Sequence, residues 1–297
     1  MRGNKKYKFL LLALFGVVIV GLIVHFLRRH HLAVLDAKGP VAEKERNLFY
    51  FGLGLSALVV IPVYVLTIGI LWKYRDSNPK PQRYRPDWDG SRILESLWWG
   101  IPCAIILVLS IVTWNSSQTL DPRKALASDR PALDVDVIAL DWKWLFIYPK
   151  QNIASVNLVE MPVSTTVRFH ITSDTVMNSF WIPNLGSQIY AMPGMETQLN
   201  LMASKSGSFA GSSANISGTG FSKMKFVARA GTPEEFRQWV NHAKQAPQIL
   251  DATRYKQLAE PGDSAPVTYY SGIWSGLYTQ TVLKYMAPIS TSQDSAL

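Results

Sequence analysis

A single cysteine, Cys103, stands in the 297 residues. No intrachain disulfide can form, and no cysteine-based cluster is available. Histidine is scarce too: His25, His30, His31, His170 and His242 include no His-x-x-x-His pair. A zinc or dinuclear centre needs several Cys, His or carboxylate ligands converging at about 2.0–2.3 Å, and the chain does not supply them. The serine-rich stretch "GSFAGSSANISGTGFSKMKF" (207–226) has no G-x-S-x-G elbow and no nearby histidine, which excludes a serine nucleophile there. Acidic residues are short in the first 120 positions, where 15 Lys/Arg face 7 Asp/Glu, while 121–297 are nearly balanced. The overall charge of +9 therefore belongs to one half of the chain. Basic residues concentrated around apolar runs set membrane topology; they do not read as a nucleic-acid footprint.

Three apolar runs occupy that half. Residues 9–27, "FLLLALFGVVIVGLIVHFL", follow four basic residues. Residues 48–72 carry no charge, and residues 97–114, "LWWGIPCAIILVLSIVTW", have tryptophans at both ends, as suits bilayer interfaces. The second and third are long enough, at about 1.5 Å per residue, to cross a hydrocarbon core of about 30 Å. Neighbouring helices can re-satisfy the backbone freed by Pro62 and Pro102. Between these two runs, residues 73–96 hold Lys73, Arg75, Lys80, Arg83, Arg85 and Arg92 against Asp76, Asp87, Asp89 and Glu95. This linker is expected in the cytoplasm, with everything after Trp114 on the outer side. For residues 1–30 an uncleaved anchor fits better than a signal peptide: the core is long and "RRHH" follows it without a small-residue cleavage site. Arg28 and Arg29, on the outer side, weigh the other way.

Beyond the polar linker 116–132 the pattern changes to short runs of period two. "LDVDVIAL", "KWLFIYP", "ASVNLVE", "TTVRFHITS", "SFWIP", "TQLNLMA" and "MKFVARA" read as strands of a β-sandwich or Greek-key barrel over 121–230. "GTPEEFRQWV" then starts a helix, with Thr232 as N-cap, Pro233 at the first position and Glu235 completing a capping box. Residues 231–297 form a C-terminal extension with helical pieces at "RYKQLA" and "LYTQTVLKYM".

The stretches "LDAKGP" (35–40), "DWKWLFIYP" (141–149), "VMNSFWIPNLGSQIYAMPGM" (176–195) and "GFSKMKF" (220–226) carry a resemblance. Together with the two apolar runs, they resemble subunit II of haem-copper respiratory oxidases over nearly the whole chain. The resemblance implies a membrane helix hairpin followed by an all-β cupredoxin-like barrel with C-terminal helices. Copper-bearing members hold two copper ions with a histidine before S-F-W/F-I-P and with C-x-E-x-C-x-x-x-H-x-x-M in the next loop. Laid on this chain, those positions are Asn178, Ser213, Asn215, Ser217, Phe221 and Met224. Only the methionine is retained. Hydroxyls are poor substitutes for the thiolates that hold and couple such a pair, and a phenyl ring has no lone pair to offer. Met224 is expected to fill core space.

Within the family that loss marks the quinol-oxidising branch. The resemblance implies a subunit without a redox centre in a proton-pumping ubiquinol oxidase of the bacterial inner membrane, its barrel in the periplasm. Haems and one copper are expected in the partner subunit I, alongside subunit III and a small subunit IV. Glu95, at the start of the third apolar run, corresponds to a glutamate at the mouth of a proton-uptake channel; an ionisable group at a membrane boundary is a candidate relay. Many relatives are lipoproteins with a cysteine shortly before L-D-x-K-G, where this chain has "RRHH". That departure counts against a lipid anchor and for an uncleaved first helix. The alternative function is a free-standing membrane-anchored cupredoxin-like binding or oxidase-assembly module. Two further side chains carry expectations of their own. Trp142 and Trp144, two apart on a strand, are expected to share one packed face. His170, alternating with Val167, Phe169 and Ile171, is expected on the exposed face without partners.

Overall fold

The computed structural model describes residues 32–75, 90–262 and 265–286, with Gly16, Val18, Gly21, Leu22 and His25 before them. The N-terminal anchor or signal segment otherwise lies outside the described residues, as do positions 76–89 of the linker. The chain divides into two compact units, Lys44–Ala125 and the remainder.

The first unit is a helix pair. Helix α1 (Pro40–Lys73) starts with a proline, whose missing N–H is no loss at the first position, and has Glu43 in its first turn. Helix α2 (Arg92–Thr119) places Glu95 in its first turn and Trp114 near its end. Both are long and apolar enough to cross a membrane. Each extends several residues beyond the apolar run at its centre. Ser110 and Ser116 direct their hydroxyls to carbonyls four residues back, so neither leaves a bare polar group on an apolar helix.

The second unit is a sandwich of two sheets. The strands are β1 (Leu133–Leu140), β2 (Lys143–Tyr148), β3 (Ile153–Val156), β4 (Leu158–Pro162), β5 (Val167–Ser173), β6 (Asn178–Trp181), β7 (Ile189–Ala191), β8 (Thr197–Leu201), β9 (Gly207–Ser213), β10 (Lys225–Gly231) and β11 (Thr268–Tyr270). One sheet runs β11-β3-β2-β1-β5-β8 and the other β4-β10-β9-β6-β7. Parallel pairs β1/β5 and β4/β10 interrupt the otherwise antiparallel ladders.

The alternation in β1 and β2 builds two cores from one sheet. Val135, Val137, Ala139, Trp144, Phe146 and Tyr148 point into the sandwich, while Ile138, Leu140, Leu145 and Ile147 point outward. Outward does not mean wet: Leu250, Tyr255, Tyr270 and Leu277 of the C-terminal extension cover that face. This is why "KWLFIY" has almost no polar position, since a strand buried on both faces loses the usual in-out pattern. Aromatic rings fill the inner core, with Phe180 stacked on Phe226 at 5.1 Å and Trp144 edge-on to Phe180 at 5.4 Å.

Asn157 transfers the chain from one sheet to the other. It sits at φ 57° between β3 and β4, a left-handed conformation that asparagine tolerates better than most residues. Its side chain accepts from the Trp144 amide and donates to the Ala265 carbonyl, each within 2.9 Å. The stretch "ASVNLVE" is thus two strands, not one.

The extension comprises α3 (Pro233–Lys244), α4 (Ala252–Ala259), β11 and α5 (Leu277–Leu283). The capping box at Thr232 and Glu235 is formed, and Pro233 opens α3. Lys143, nearly buried, donates to the carbonyls of Leu258 and Glu260 at 2.8 and 2.7 Å. It thereby caps the carboxyl end of α4 with a cation, the sign that end favours. Burial lowers the Lys143 ammonium below its usual range.

Candidate functional site

Four of the six positions singled out in the sequence meet at one end of the second sheet. Asn178 opens β6 and Ser213 closes β9, two strands that pair with Phe180 opposite Ser213. Asn178 is fully buried and Ser213 nearly so. The Ser213 hydroxyl lies 3.2 Å from both the Asn178 side-chain oxygen and the Asn215 carbonyl, and can donate to one at a time. Asn178 donates to the Val176 carbonyl and Asn215 to that of Met177, both at 3.0 Å. The Ser213 amide reaches the Met224 carbonyl at 3.2 Å, closing the loop between β9 and β10. The side chains of Asn178, Ser213 and Asn215 are each satisfied by a neighbour in the chain, whereas the buried Ser179 hydroxyl beside them has no partner among the described residues.

Met224 is buried in the main core, as a flexible apolar filler should be. Phe221 begins a single 3₁₀ turn, Phe221–Lys223, which leads into β10. Ser217 stands apart: its backbone carbonyl accepts from the Trp142 indole at 3.2 Å, and its hydroxyl is buried without a partner among the described residues. Two carboxamides, two hydroxyls, a phenyl ring and one thioether do not fit a dinuclear copper centre, which needs thiolates and imidazoles. Among the described residues no three His, Cys, Asp or Glu side chains stand together as a metal site.

Trp142 packs against the same core as Trp144, but from the turn and not from the strand. It occupies the two-residue turn between β1 and β2 at φ 61°, a left-handed conformation that is unusual for so bulky a side chain. The turn leaves its indole half-buried, over the loop and packed against the edge of the core that Trp144 enters. Gly218, at φ 110°, and Gly220 lie beneath it; a Cβ on Gly220 would fall 2.1 Å from the ring. Trp144 alone enters the core.

His170 also departs from expectation. It is half-buried, with Nδ1 3.0 Å from Glu196 and Asp136 beside it on β1. Burial, aided by Glu196 and Asp134 and opposed by His170, raises the Asp136 carboxyl to about 6. Tyr278 of α5 faces the same carboxylates, and burial pushes its phenol up. On the opposite sheet, burial raises Glu160 to about 7 although Arg229 approaches to 2.9 Å.

Glu95 is exposed on α2, in the first turn, where a carboxylate is favoured by the helix dipole. It belongs to the helix-pair unit and the loop to the sandwich.

Two parts of the architecture had weaker sequence signals. Asp174 opens the "DTVMN" stretch and is almost wholly buried; it accepts from Tyr255 at 2.8 Å and from Lys284 at 2.7 Å. Segment 33–42 docks on the sandwich: the Lys38 amide donates to Asn184, and the Asn184 side chain donates to Ala33 and Asp36. Gly39 approaches the Met202 carbonyl so closely that a Cβ would lie 2.3 Å away, which gives the glycine of "LDAKGP" a structural reason.

Residues 133–231, the span from β1 to β10, match the family described as cytochrome c oxidase subunit II, periplasmic domain. Residues 244–288 match the COX aromatic rich motif. The cytochrome bo(3) ubiquinol oxidase subunit 2 of Pseudomonas putida is 47% identical over 92% of this chain and 86% of its own length. The ubiquinol oxidase subunit 2 of Acetobacter aceti is 47% identical over 86% of this chain and 83% of its own. Among solved structures, the periplasmic domain of subunit II of the Bradyrhizobium japonicum cytochrome oxidase is similar, at 25% identity over 41% of this chain and 98% of its own, with a TM-score of 0.38. The helix pair, the sandwich and this identity over most of both lengths lead to one conclusion: the chain belongs to the ubiquinol oxidase subunit 2 family of the haem-copper oxidases.

Proposed function

We propose that this chain is the subunit of a proton-pumping terminal ubiquinol oxidase that holds no redox centre of its own. The observation that carries the reading is the Asn178–Ser213–Asn215 hydrogen-bond cluster, in a chain nearly half identical to ubiquinol oxidase subunits. Those positions, with Ser217, Phe221 and Met224, correspond to the copper ligands of copper-bearing relatives. The side chains of Asn178, Ser213 and Asn215 are committed to each other and to the backbone. The electron donor is then a membrane-soluble quinol, oxidised in a partner subunit I that carries the haems and one copper. This chain supplies scaffold: its sandwich caps the outer face of subunit I, and its helices pack in the membrane beside it. Exposed apolar side chains at the loop, Val176, Met177 and Ile216, offer surface for such a contact. Subunits III and IV complete the assembly.

The helices cross the inner membrane with the basic linker 73–96 in the cytoplasm and the sandwich in the periplasm. That orientation puts Glu95 at the cytoplasmic boundary, where it serves the entrance for protons drawn into subunit I. An exposed carboxylate in the first turn of an apolar helix can exchange protons with water while its helix leads inward.

The test uses the complex purified in mild detergent through a tag on this chain. Haem with one copper per complex, and oxygen uptake with ubiquinol but not with reduced cytochrome c, is the expected result. Two additional copper ions, or turnover with cytochrome c, would overturn the reading. A haem-free chain purifying alone would favour a free-standing module.

A further inference from the structure

The helix pair carries a groove for which scaffolding gives no use. Lys44, Asn47 and Phe51 of α1 face Val112, Ser116 and Thr119 of α2 across an open concavity of about 360 Å³. Its two ends differ in chemistry. Seven residues of helix separate Lys44 from Phe51, about 10 Å along the axis. Over that distance the lining passes from an ammonium and a carboxamide to a phenyl ring and a valine.

The hydroxyls in the wall are already committed: Ser116 donates to the Val112 carbonyl at 2.7 Å and Thr119 to that of Ser116 at 3.3 Å. The donors left to meet a ligand are the Lys44 ammonium and the Asn47 carboxamide, neither of which has a hydrogen bond or ion pair among the described residues. The groove lies at the edge of the apolar run, which begins at Leu48. A cation at a bilayer boundary attracts anionic headgroups, and the apolar floor below it would waste a small inorganic anion.

We propose that this groove binds a phospholipid with an anionic headgroup. Lys44 and Asn47 hold the phosphate, and Phe51 and Val112 hold the first methylenes of an acyl chain. A peptide segment fits less well, because it would have to bring its own carboxylate to Lys44 within a mostly apolar cleft. The inference rests on the reading that α1 and α2 cross the membrane.

The experiment places benzoylphenylalanine at Phe51 in the full chain, within the assembled complex, and illuminates native membranes. Digestion and mass spectrometry then identify the adduct. The expected product is a glycerophospholipid adduct, enriched in anionic headgroups relative to the bulk membrane. It should fall at least fivefold with Lys44→Glu and persist with Lys44→Arg. A cross-link to polypeptide, adducts that mirror the bulk lipid and ignore Lys44, or no adduct at all would each overturn the proposal. Alkaline carbonate extraction checks the underlying reading separately: a chain released as soluble protein does not span the membrane. A chain that stays in the membrane without a lipid adduct defeats the groove alone.

Discussion

Replacing Asp174 with alanine should free the C-terminal helix while leaving the sandwich folded. The Asp174 side chain is only 3% exposed and receives two donors from the extension. One is the Tyr255 hydroxyl at 2.8 Å, buried and held otherwise by Thr281 at 3.3 Å. The other is the Lys284 ammonium at 2.7 Å, itself about half exposed. A buried hydrogen bond to a charged acceptor contributes about 1.5–3 kcal/mol. The exposed lysine adds at most about 1 kcal/mol, because water already screens it. The loss should therefore be about 2–3 kcal/mol, concentrated on the seat of α5. At about 1.4 kcal/mol per factor of ten, local opening becomes roughly 30–150-fold more frequent. Hydrogen exchange of the Leu277–Lys284 amides in the purified complex reads this directly. Asp174→Asn, which keeps an acceptor for Tyr255 and loses only the charge, should show less than a third of the effect. Exchange in α5 accelerated less than threefold, or an equal acceleration throughout the sandwich, would refute the reasoning.

Other perturbations test other parts of the structure. Asp136 has a folded value of about 6, above its ordinary 3.8, so its ionised form is a burden above pH 6 that is relieved as the pH falls towards 4. A shift of that size corresponds to about 3 kcal/mol in full, and about 1–2 kcal/mol after screening at a half-buried site. Asp136→Asn should therefore slow exchange of the β1 and β5 amides at pH 7.5, with no advantage left at pH 4; equal behaviour at both would contradict the assignment. Gly220→Ala forces a Cβ against the Trp142 ring, and overpacking of this kind costs about 1–3 kcal/mol. The cost should shrink when Trp142→Ala is also present, as a double-mutant cycle of thermal unfolding would register; an undiminished cost would place the clash elsewhere. Glu95→Gln keeps the size of the side chain and removes its proton, so ubiquinol oxidation by the complex should slow several-fold and recover with Glu95→Asp. A rate and proton stoichiometry equal to wild type would take Glu95 out of the uptake route.

Much of this molecule could be read from residues close together in the chain. The apolar runs, the basic linker and the Thr232 capping box are local features, decided by neighbours within about four positions. The chemistry of the loop is equally local, because no tertiary arrangement turns Ser213, Ser217 or Phe221 into a thiolate or an imidazole. Partners far apart in the chain could not be read in that way. Trp142 and Trp144 suggested one shared face, yet a left-handed turn at Trp142 sends its indole to Ser217, 75 residues away. His170 carried no sign of Glu196, 26 residues on, nor of Asp136 on the neighbouring parallel strand.

The glycine-rich stretch opened as strand β9, which period and composition did not indicate, because its register comes from β10 and β6 on either side. In sequence, the C-terminal extension shows only helical pieces. In the structure it also adds β11 and covers a second core, since the outward face of β1 and β2 is too apolar to meet water. The sequence by itself determined the apolar helices, most strands of the sandwich, the start of α3 and which chemistry the loop excludes, because these depend on residue type and short-range geometry. Only the tertiary structure decided which buried polar groups satisfy one another. Those pairings join residues as far as 151 positions apart, and they form only once packing has removed water from between them.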